Sequence, residues 1–447
     1  MKKIVIFGPG PNFKGGIANY TTSLAKALDK LGAEVYIVSW TQQYPSIIPR
    51  DFIDKASKKN LLENTNIKVE YITNYNNPIS WKNTVDFIHS FNPDIVVFQW
   101  AISIQGLPIG WIAKKLQKKC QCEIIFDLHV VAQKEGSKID NFLLKYALSK
   151  PDTFIVHSLK TFEELKKVFP SQNFLLINNQ EEFTTKKIET SNNQQSITNN
   201  NQQIANARKQ KNQKAVIKLY HPVYDMFTPD PNFDKEKVKQ ELGLRKHVFL
   251  FFGFIRKYKG LHNVIKSFAK LAKERDDVSL LIVGESFWNT LDEKKLSTRL
   301  KKIIFSSLKK LLVRSKDDES NYRPLDLIDE LKIKDQVVVV NRYVGNEEVP
   351  KYFQVADCNV LFYEVATPSG VESMAYNFKL PTIATAVGHF PETIKHGYNG
   401  YLAEPENIDS MYRVMKEFLE KPIPREHVAE QAEKMSWATY ARAILNE

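Results

Sequence analysis

Cysteine is scarce. Cys120, Cys122 and Cys358 are three in 447 residues, too few for a disulfide framework, and the one-residue gap between the first two is not an ordinary zinc-ligand spacing. Free thiols in the cytosol are the expectation. Glycine and proline, 17 and 20 in all, exclude a collagenous chain, and the composition excludes a wholly disordered one. Long apolar runs are also few. The start, Met1-Lys2-Lys3-Ile4-Val5-Ile6-Phe7, has the basic opening of a signal sequence, but its apolar stretch ends at Gly8 with no small-residue cleavage site, so export is not expected. Residues 95–113 carry no charge and approach membrane-span length. Gln99, Gln105, Gly106, Pro108 and Gly110 interrupt them, which predicts a buried strand followed by a loop.

What is abundant is positive charge. Sixty-three Lys and Arg against fifty-one Asp and Glu give +12, a balance that favours anionic partners: phosphorylated small molecules, acidic lipid surfaces or nucleic acid. The length exceeds one core and predicts two domains of roughly 200 residues each. The opening reads as strand (3–7), glycine loop, helix and second strand (35–38), with further strand-like runs at 95–98, 123–126 and 153–156. A second series of runs at 247–252, 279–283, 336–340, 359–362 and 382–384 alternates with helical patterns such as 261–272. Strands alternating with helices predict an α/β chain of two doubly wound parallel sheets. The expected division is 1–217, 218–425 and a last helical segment, 426–447.

Two segments depart from that plan. Residues 184–214 are rich in Asn and Gln without aromatics, and are expected to be a disordered insertion because they cannot bury enough apolar surface to offset ordering. Residues 294–316 hold nine Lys or Arg and no acid, with Ile303, Ile304, Leu308, Leu311 and Leu312 near one helical face. Such a helix suits an anionic membrane, or is an ordinary surface helix packed by its apolar side.

Three loops could carry chemistry. Gly8-x-Gly10 follows a strand, but Phe13 stands where a third glycine would, and no acid ends the second strand, where Ser39-Trp40 stand. Dinucleotide binding is therefore not expected. Gly15 and Gly16, just before a helix, offer bare amides to a phosphate or sugar oxygen. Arg256 and Lys259 lie between a strand and a helix, where two cations could neutralise a diphosphate. Thr367, Ser369 and Gly370 form a turn opening a helix, whose amides could hold an anion or sugar hydroxyls.

In this order and spacing, Gly15-Gly16-Ile17, the segment from Phe252 to Gly260, Tyr352-Phe353-x-x-Ala356-Asp357, Thr367-x-Ser369-Gly370-Val371, Gly388-x-x-Pro391-Glu392 and His396-Gly397-x-x-Gly400 resemble the family 4 retaining glycosyltransferases. The resemblance covers most of the chain outside the two insertions. It implies a GT-B architecture, two Rossmann-like domains facing across a cleft, with a C-terminal helix crossing back to the first. It implies a UDP- or GDP-sugar donor, its diphosphate on Arg256 and Lys259, its sugar and phosphates near Thr367, Ser369, Gly370, Val371 and Glu372, with Gly15 and Gly16 closing over. His129, after the strand ending in Asp127-Leu128, matches the family's active-site histidine; its bland alternative is a structural histidine at a strand end. The family's paired glutamates have the spacing of Glu364 and Glu372, but counting back from Pro381 puts the pair at Ala366 and Met374. The resemblance then implies that the Glu364/Glu372 spacing is fortuitous and that the chain falls in a branch with Ala-Thr-x-Ser-Gly-Val in place of the first Glu, Thr367 and Ser369 taking over its polar contacts.

Transfer to a glycan or lipid-linked acceptor with retention, without metal or cofactor, is the expected activity; no Asp-x-Asp sits at a strand end. The location implied is cytoplasmic, peripheral at the inner membrane face, with no nucleic acid. The rivals are a sugar-nucleotide epimerase on the same architecture and a non-enzymatic basic protein bound to membranes or nucleic acid.

Overall fold

The computed structural model describes residues 1–45, 51–58, 60–131, 138–178, 213–286, 322–368 and 370–446. They fall into two units. One draws on Met1–Ser46, Asn60–Pro222 and Ser436–Glu447, the other on Ile47–Lys59 and Val223–Met435.

The first unit is an eight-stranded sheet of β1 (Lys3–Phe7), β2 (Glu34–Gln42), β3 (Lys68–Asn74), β4 (Ile95–Trp100), β5 (Glu123–Leu128), β6 (Thr153–Val156), β7 (Asn173–Asn178) and β8 (Gln213–Lys218). The order is β3-β2-β1-β4-β5-β6-β8-β7, and each neighbouring pair is parallel. β4 and β6 are buried along their whole length, as expected where helices cover both faces of a parallel sheet. Those helices are α1 (Gly16–Lys30), α2 (Pro78–Phe91), α3 (Gly106–Lys119), α4 (Lys138–Leu148) and α5 (Leu159–Val168).

The expected loop after residue 100 is instead a 3-10 turn leading into α3. Pro108 sits in the first turn, where its missing N–H costs nothing. Gly106 and Gly110 are the contact with α4: a Cβ on Gly106 would stand 2.6 Å from the Leu143 carbonyl oxygen, and one on Gly110 2.7 Å from the Tyr146 ring. The residues that look like helix breakers serve close helix packing.

The second unit has β9 (His247–Phe252), β10 (Val278–Val283), β11 (Val337–Val340), β12 (Cys358–Leu361), β13 (Thr382–Thr385) and β14 (Gly400–Ala403) in the order β11-β10-β9-β12-β13-β14. All pairs are again parallel. Its helices are α6 (Lys235–Leu242), α7 (Leu261–Glu274), α8 (Asp326–Glu330), α9 (Val349–Val355), α10 (Gly370–Asn377), α11 (Phe390–Thr393), α12 (Ile408–Glu420) and α13 (Arg425–Glu433). Residues 51–58 fasten here: the Asp54 carboxylate accepts from the Tyr343 hydroxyl at 3.2 Å, and Glu347 accepts from the Lys58 amide at 2.9 Å.

The first unit extends past residue 217 because β8 pairs with both β6 and β7 and the Leu219 amide donates to Val156. Where one helical segment is expected over 426–447, there are two helices. Ser436 caps a new one, α14 (Trp437–Leu445), by accepting from the Thr439 amide. α13 belongs to the second unit and α14 to the first, where it packs along α1. Residues 184–212 of the expected insertion and all of 294–316 lie outside the described residues. Among the described residues no helix is long and apolar enough to cross a membrane.

Candidate functional site

In the second sheet the strand order reverses between β9 and β12, the place where open α/β sheets form a ligand crevice. The chain leaves β9 through Gly253, in the left-handed region with φ 100°, and enters α7 through Gly260, φ 63°. A Cβ on Gly253 would stand 2.8 Å from Lys259 Nζ and 3.4 Å from Val371, so this bare backbone is the common neighbour of Lys259 and the first turn of α10. The structure thus brings Lys259 and Val371, distant in sequence, to one spot.

Lys259 is only 9% exposed. Its ammonium lies 5.8 Å from the centre of the Tyr363 ring, and no carboxylate pairs with it among the described residues. Burial, and then the neighbouring Arg256 charge, pull its pKa down to about 7. The Arg256 guanidinium sits 5.2 Å from the centre of the Tyr258 ring. Two adjacent basic side chains, one of them buried with no carboxylate partner among the described residues, have the chemistry that an anion would need.

Gly370 begins α10 and Tyr224 packs where its Cβ would be. Thr367 is half-buried ahead of it, and Ser369 lies outside the described residues. Glu372, 1% exposed, does not present a free carboxylate. Its Oε2 is 2.5 Å from His389 Nε2 and its Oε1 accepts from the Thr393 hydroxyl at 2.5 Å. Glu364 lies 3.2 Å from His262 Nε2; burial first, then Lys266 and Lys257, lower that imidazole to about 4. Ala366 and Met374, the other placement of the glutamate pair, are buried apolar side chains.

The sites in the first unit are separate features. Gly15, φ 107°, is the N-cap of α1 and leaves its first turn without a side-chain cap or an acid; Gly16 is the first residue of the helix. Gly8 and Gly10 serve packing: a Cβ on Gly8 would meet Gln99 Cγ at 2.8 Å, and Gly10 donates its amide to the Ser39 hydroxyl at 2.7 Å. His129 follows β5 and is held by its own amide, which donates to Trp100. Its ring lies 4.6 Å from Tyr20 edge-on, and 5.4 Å from His157. Beneath it sits Asp127, fully buried, with His157 Nε2 2.9 Å from Oδ1. Burial works against the Asp127 charge, but His157 and His129 prevail and hold it to about 2. Burial lowers His129 to about 4, against the pull of Asp127.

Gln99, Asp127, His157, Tyr20 and His389 are thus parts of these clusters that local motifs do not reveal. A signal was available for two of them: Gln99 and Asp127 are polar residues inside otherwise apolar runs, Ile95-Val-Val-Phe and Ile124-Ile-Phe. No group of three or more His, Cys, Asp or Glu able to hold a metal occurs among the described residues.

The chain matches two family models in succession, Glycosyltransferase Family 4 over residues 14–179 and Glycosyl transferases group 1 over residues 232–435. Spore coat protein SA of Bacillus subtilis (strain 168) is 24% identical over 242 residues, covering 52% of this chain and 55% of that protein. The chain therefore spans about half the length of the curated relative it matches. Among solved structures, Anabaena HepE in complex with UDP-glucose covers 100% of this chain and 98% of its own at TM-score 0.65 and 14% identity. A sucrose-phosphate synthase from Thermosynechococcus elongatus covers 99% and 97% at TM-score 0.62 and 14% identity.

Proposed function

With its two halves matched in order to their models, the chain belongs to the glycosyltransferases of family 4 and group 1 and has the GT-B fold, and on that premise we propose that it moves a hexosyl group from a nucleoside diphosphate sugar to an acceptor hydroxyl. The observation that carries the reading is Lys259, a buried cation beside Arg256 with no carboxylate partner among the described residues. A diphosphate supplies the missing charge. As the glycosidic bond breaks, negative charge grows on the departing diphosphate, and fixed cations with the N-terminal amides of α10 at Gly370 and Val371 stabilise it. Thr367 and Ser369 add polar contacts, Gly15 and Gly16 offer amides to the donor, and His129 faces the transferred sugar. Glu372, tied to His389 and Thr393, steadies the first turn of α10.

The reading uses no metal and no cofactor, because the two cations meet the leaving charge. Transfer with retention of configuration is part of the proposal, taken over from the resemblance of the sequence motifs to the family 4 retaining enzymes. The net charge of +12 supports an anionic or lipid-linked glycan acceptor met at the inner face of a membrane, with residues 294–316 as the peripheral contact. UDP is the nucleotide to try first, since HepE was solved with UDP-glucose, and GDP the second.

The test is calorimetric titration of UDP and GDP into the wild type and an Arg256→Ala/Lys259→Ala variant. One nucleotide is expected to bind the wild type and to lose affinity at least about a hundredfold in the variant. Failure of both to bind at millimolar concentration, together with salt-sensitive binding to anionic vesicles, would leave the non-enzymatic basic protein as the better account. Consumption of the nucleotide sugar without an acceptor, yielding its epimer, would replace the transferase by the epimerase.

A further inference from the structure

Gln99 is 2% exposed in a strand whose other buried side chains are apolar. Its place depends on the residue just after the adjacent strand β1, Gly8, which lacks the Cβ that would collide with it. Its amide is oriented by chemistry. The Asp127 carboxylate, held ionised, can only accept, so the atom 3.3 Å from Oδ2 is Nε2, and it donates. Oε1 is left facing His129 Nε2 at 2.6 Å. A carbonyl oxygen also only accepts, so the hydrogen at this contact belongs to the imidazole. His129 Nδ1, the other ring nitrogen, makes no hydrogen bond among the described residues. The edge of Tyr20, at 87° to the ring, and the amide of His129 bonded to Trp100 restrain the side chain from turning over.

We propose that Gln99 is a positioning residue that fixes His129 as the Nε2–H tautomer, so that Nδ1 accepts a hydrogen bond and the site selects a donor sugar presenting a hydroxyl, not a carboxylate, to it. The inference rests on the reading of His129 as the residue that faces the transferred sugar. A hydroxyl meets a ring lone pair as a donor. A uronic acid carboxylate brings only lone pairs and a negative charge, which leaves two acceptors opposed in a desolvated setting. Protonation of the ring does not rescue the uronate near neutrality, because burial keeps the imidazole uncharged. The relay from Asp127 through Gln99 to His129 is the organic counterpart of the outer-shell partners that set the tautomer of metal-bound histidines.

Two measurements on the full chain separate this inference from the transferase reading. Long-range proton–nitrogen spectra of histidine-labelled protein at neutral pH are expected to show His129 with Nε2 protonated and Nδ1 bare. The opposite tautomer, or an even mixture, overturns the proposal whether or not the protein turns over any sugar. In the transfer assay, the wild type is expected to favour a UDP-hexose over the corresponding UDP-hexuronate by about tenfold or more in kcat/KM. Equal or better use of the hexuronate overturns the specificity.

The Gln99→Met variant keeps the volume and removes both polar atoms. It is expected to shift the two His129 nitrogens toward an averaged signature, and to lower kcat/KM for the hexose about tenfold while narrowing the discrimination. An unchanged spectrum and unchanged discrimination in a folded variant overturn the role of Gln99. If the variant does not fold, the wild-type spectrum and wild-type ratio decide. Absence of nucleotide binding defeats the transferase reading, and the spectrum still judges the tautomer.

Discussion

At the scale of single residues, Lys259 shows what burial does to an ordinary ammonium group. A lysine in water stays charged far above neutrality, whereas here burial and Arg256 lower its pKa to about 7. The lysine is therefore only partly protonated at neutral pH, and a diphosphate bound beside it would restore the charge. The sign follows: below about 7 the cation is present before the anion arrives, and above it a proton must be taken up. Affinity for a UDP-sugar, whose diphosphate does not titrate near neutrality, should weaken about tenfold from pH 6 to pH 8. Lys259→Arg should bind with little dependence over that range. Calorimetry across the pH series checks both, and a flat wild-type profile would remove Lys259 from the donor site.

The setting of Arg256 and Lys259 was legible in the sequence because a strand, a glycine loop and a helix follow one another within a few residues. The partners of Glu372 and His129 could not. His389 lies seventeen positions from Glu372 and Gln99 thirty from His129, so no local spacing announces either contact.

At the scale of elements, the positive-φ glycines of the second unit divide into two kinds. Gly243 ends α6 with φ 68° and nothing within 4 Å of a Cβ, so Gly243→Ala meets only the left-handed backbone penalty, about 1 kcal/mol. Gly260 has a similar φ, but its Cβ would lie 1.9 Å from the carbonyl oxygen of Phe362, which is backbone and cannot swing aside. Gly260→Ala should cost upwards of about 3 kcal/mol and displace the loop carrying Lys259. Urea unfolding followed on the second unit compares the two, and equal midpoints would contradict the packing described at Gly260.

Element recognition from sequence succeeded where runs of four or more apolar residues stand out, as in β1, β9 and β10. β3 escaped because it is an edge strand, Lys68-Val69-Glu70-Tyr71, with charges on its open face. β8 escaped because Gln213 and Lys214 continue the polar composition before them, and β14 because it opens on Gly400 and holds no β-branched residue. The glycines of α3 disguised a helix, since their reason lies in α4 rather than in their own segment.

At the scale of the whole molecule, neutral buried imidazoles occur in both units and set a common acid limit. Burial lowers His129 to about 4 and, with His157 and His129 adding to it, lowers His221 well below the ordinary imidazole value; His262 in the second unit is lowered to about 4. In the unfolded chain these groups protonate near about 6.5. Between that value and about 4 the unfolded state binds more protons, so stability is full above the window and is lost as pH falls through it. For His129 alone this amounts to about 3 kcal/mol. Asp127, held to about 2, contributes its loss only in more acid solution. Urea midpoints of the first unit measured from pH 7 to pH 4 should fall, and His129→Asn should flatten part of the slope. A wild type insensitive to acid over this range would show that these rings are charged when folded.

The return of α14 to the first unit bears on how the protein is made. Trp437 and Tyr440 pack against Tyr20, and Tyr440 lies over His157, so they complete the wall around the Asp127–His157 pair. The first sheet is translated in full once Lys218 emerges, yet Trp437 follows 219 residues later (437 minus 218). At about 5–20 residues per second, roughly 10 to 45 s of synthesis separate the two events. Throughout that interval the nascent first unit carries an open seam beside its most polar buried groups. Completion of the first unit waits for α14, and chaperones have at least that long to engage the seam.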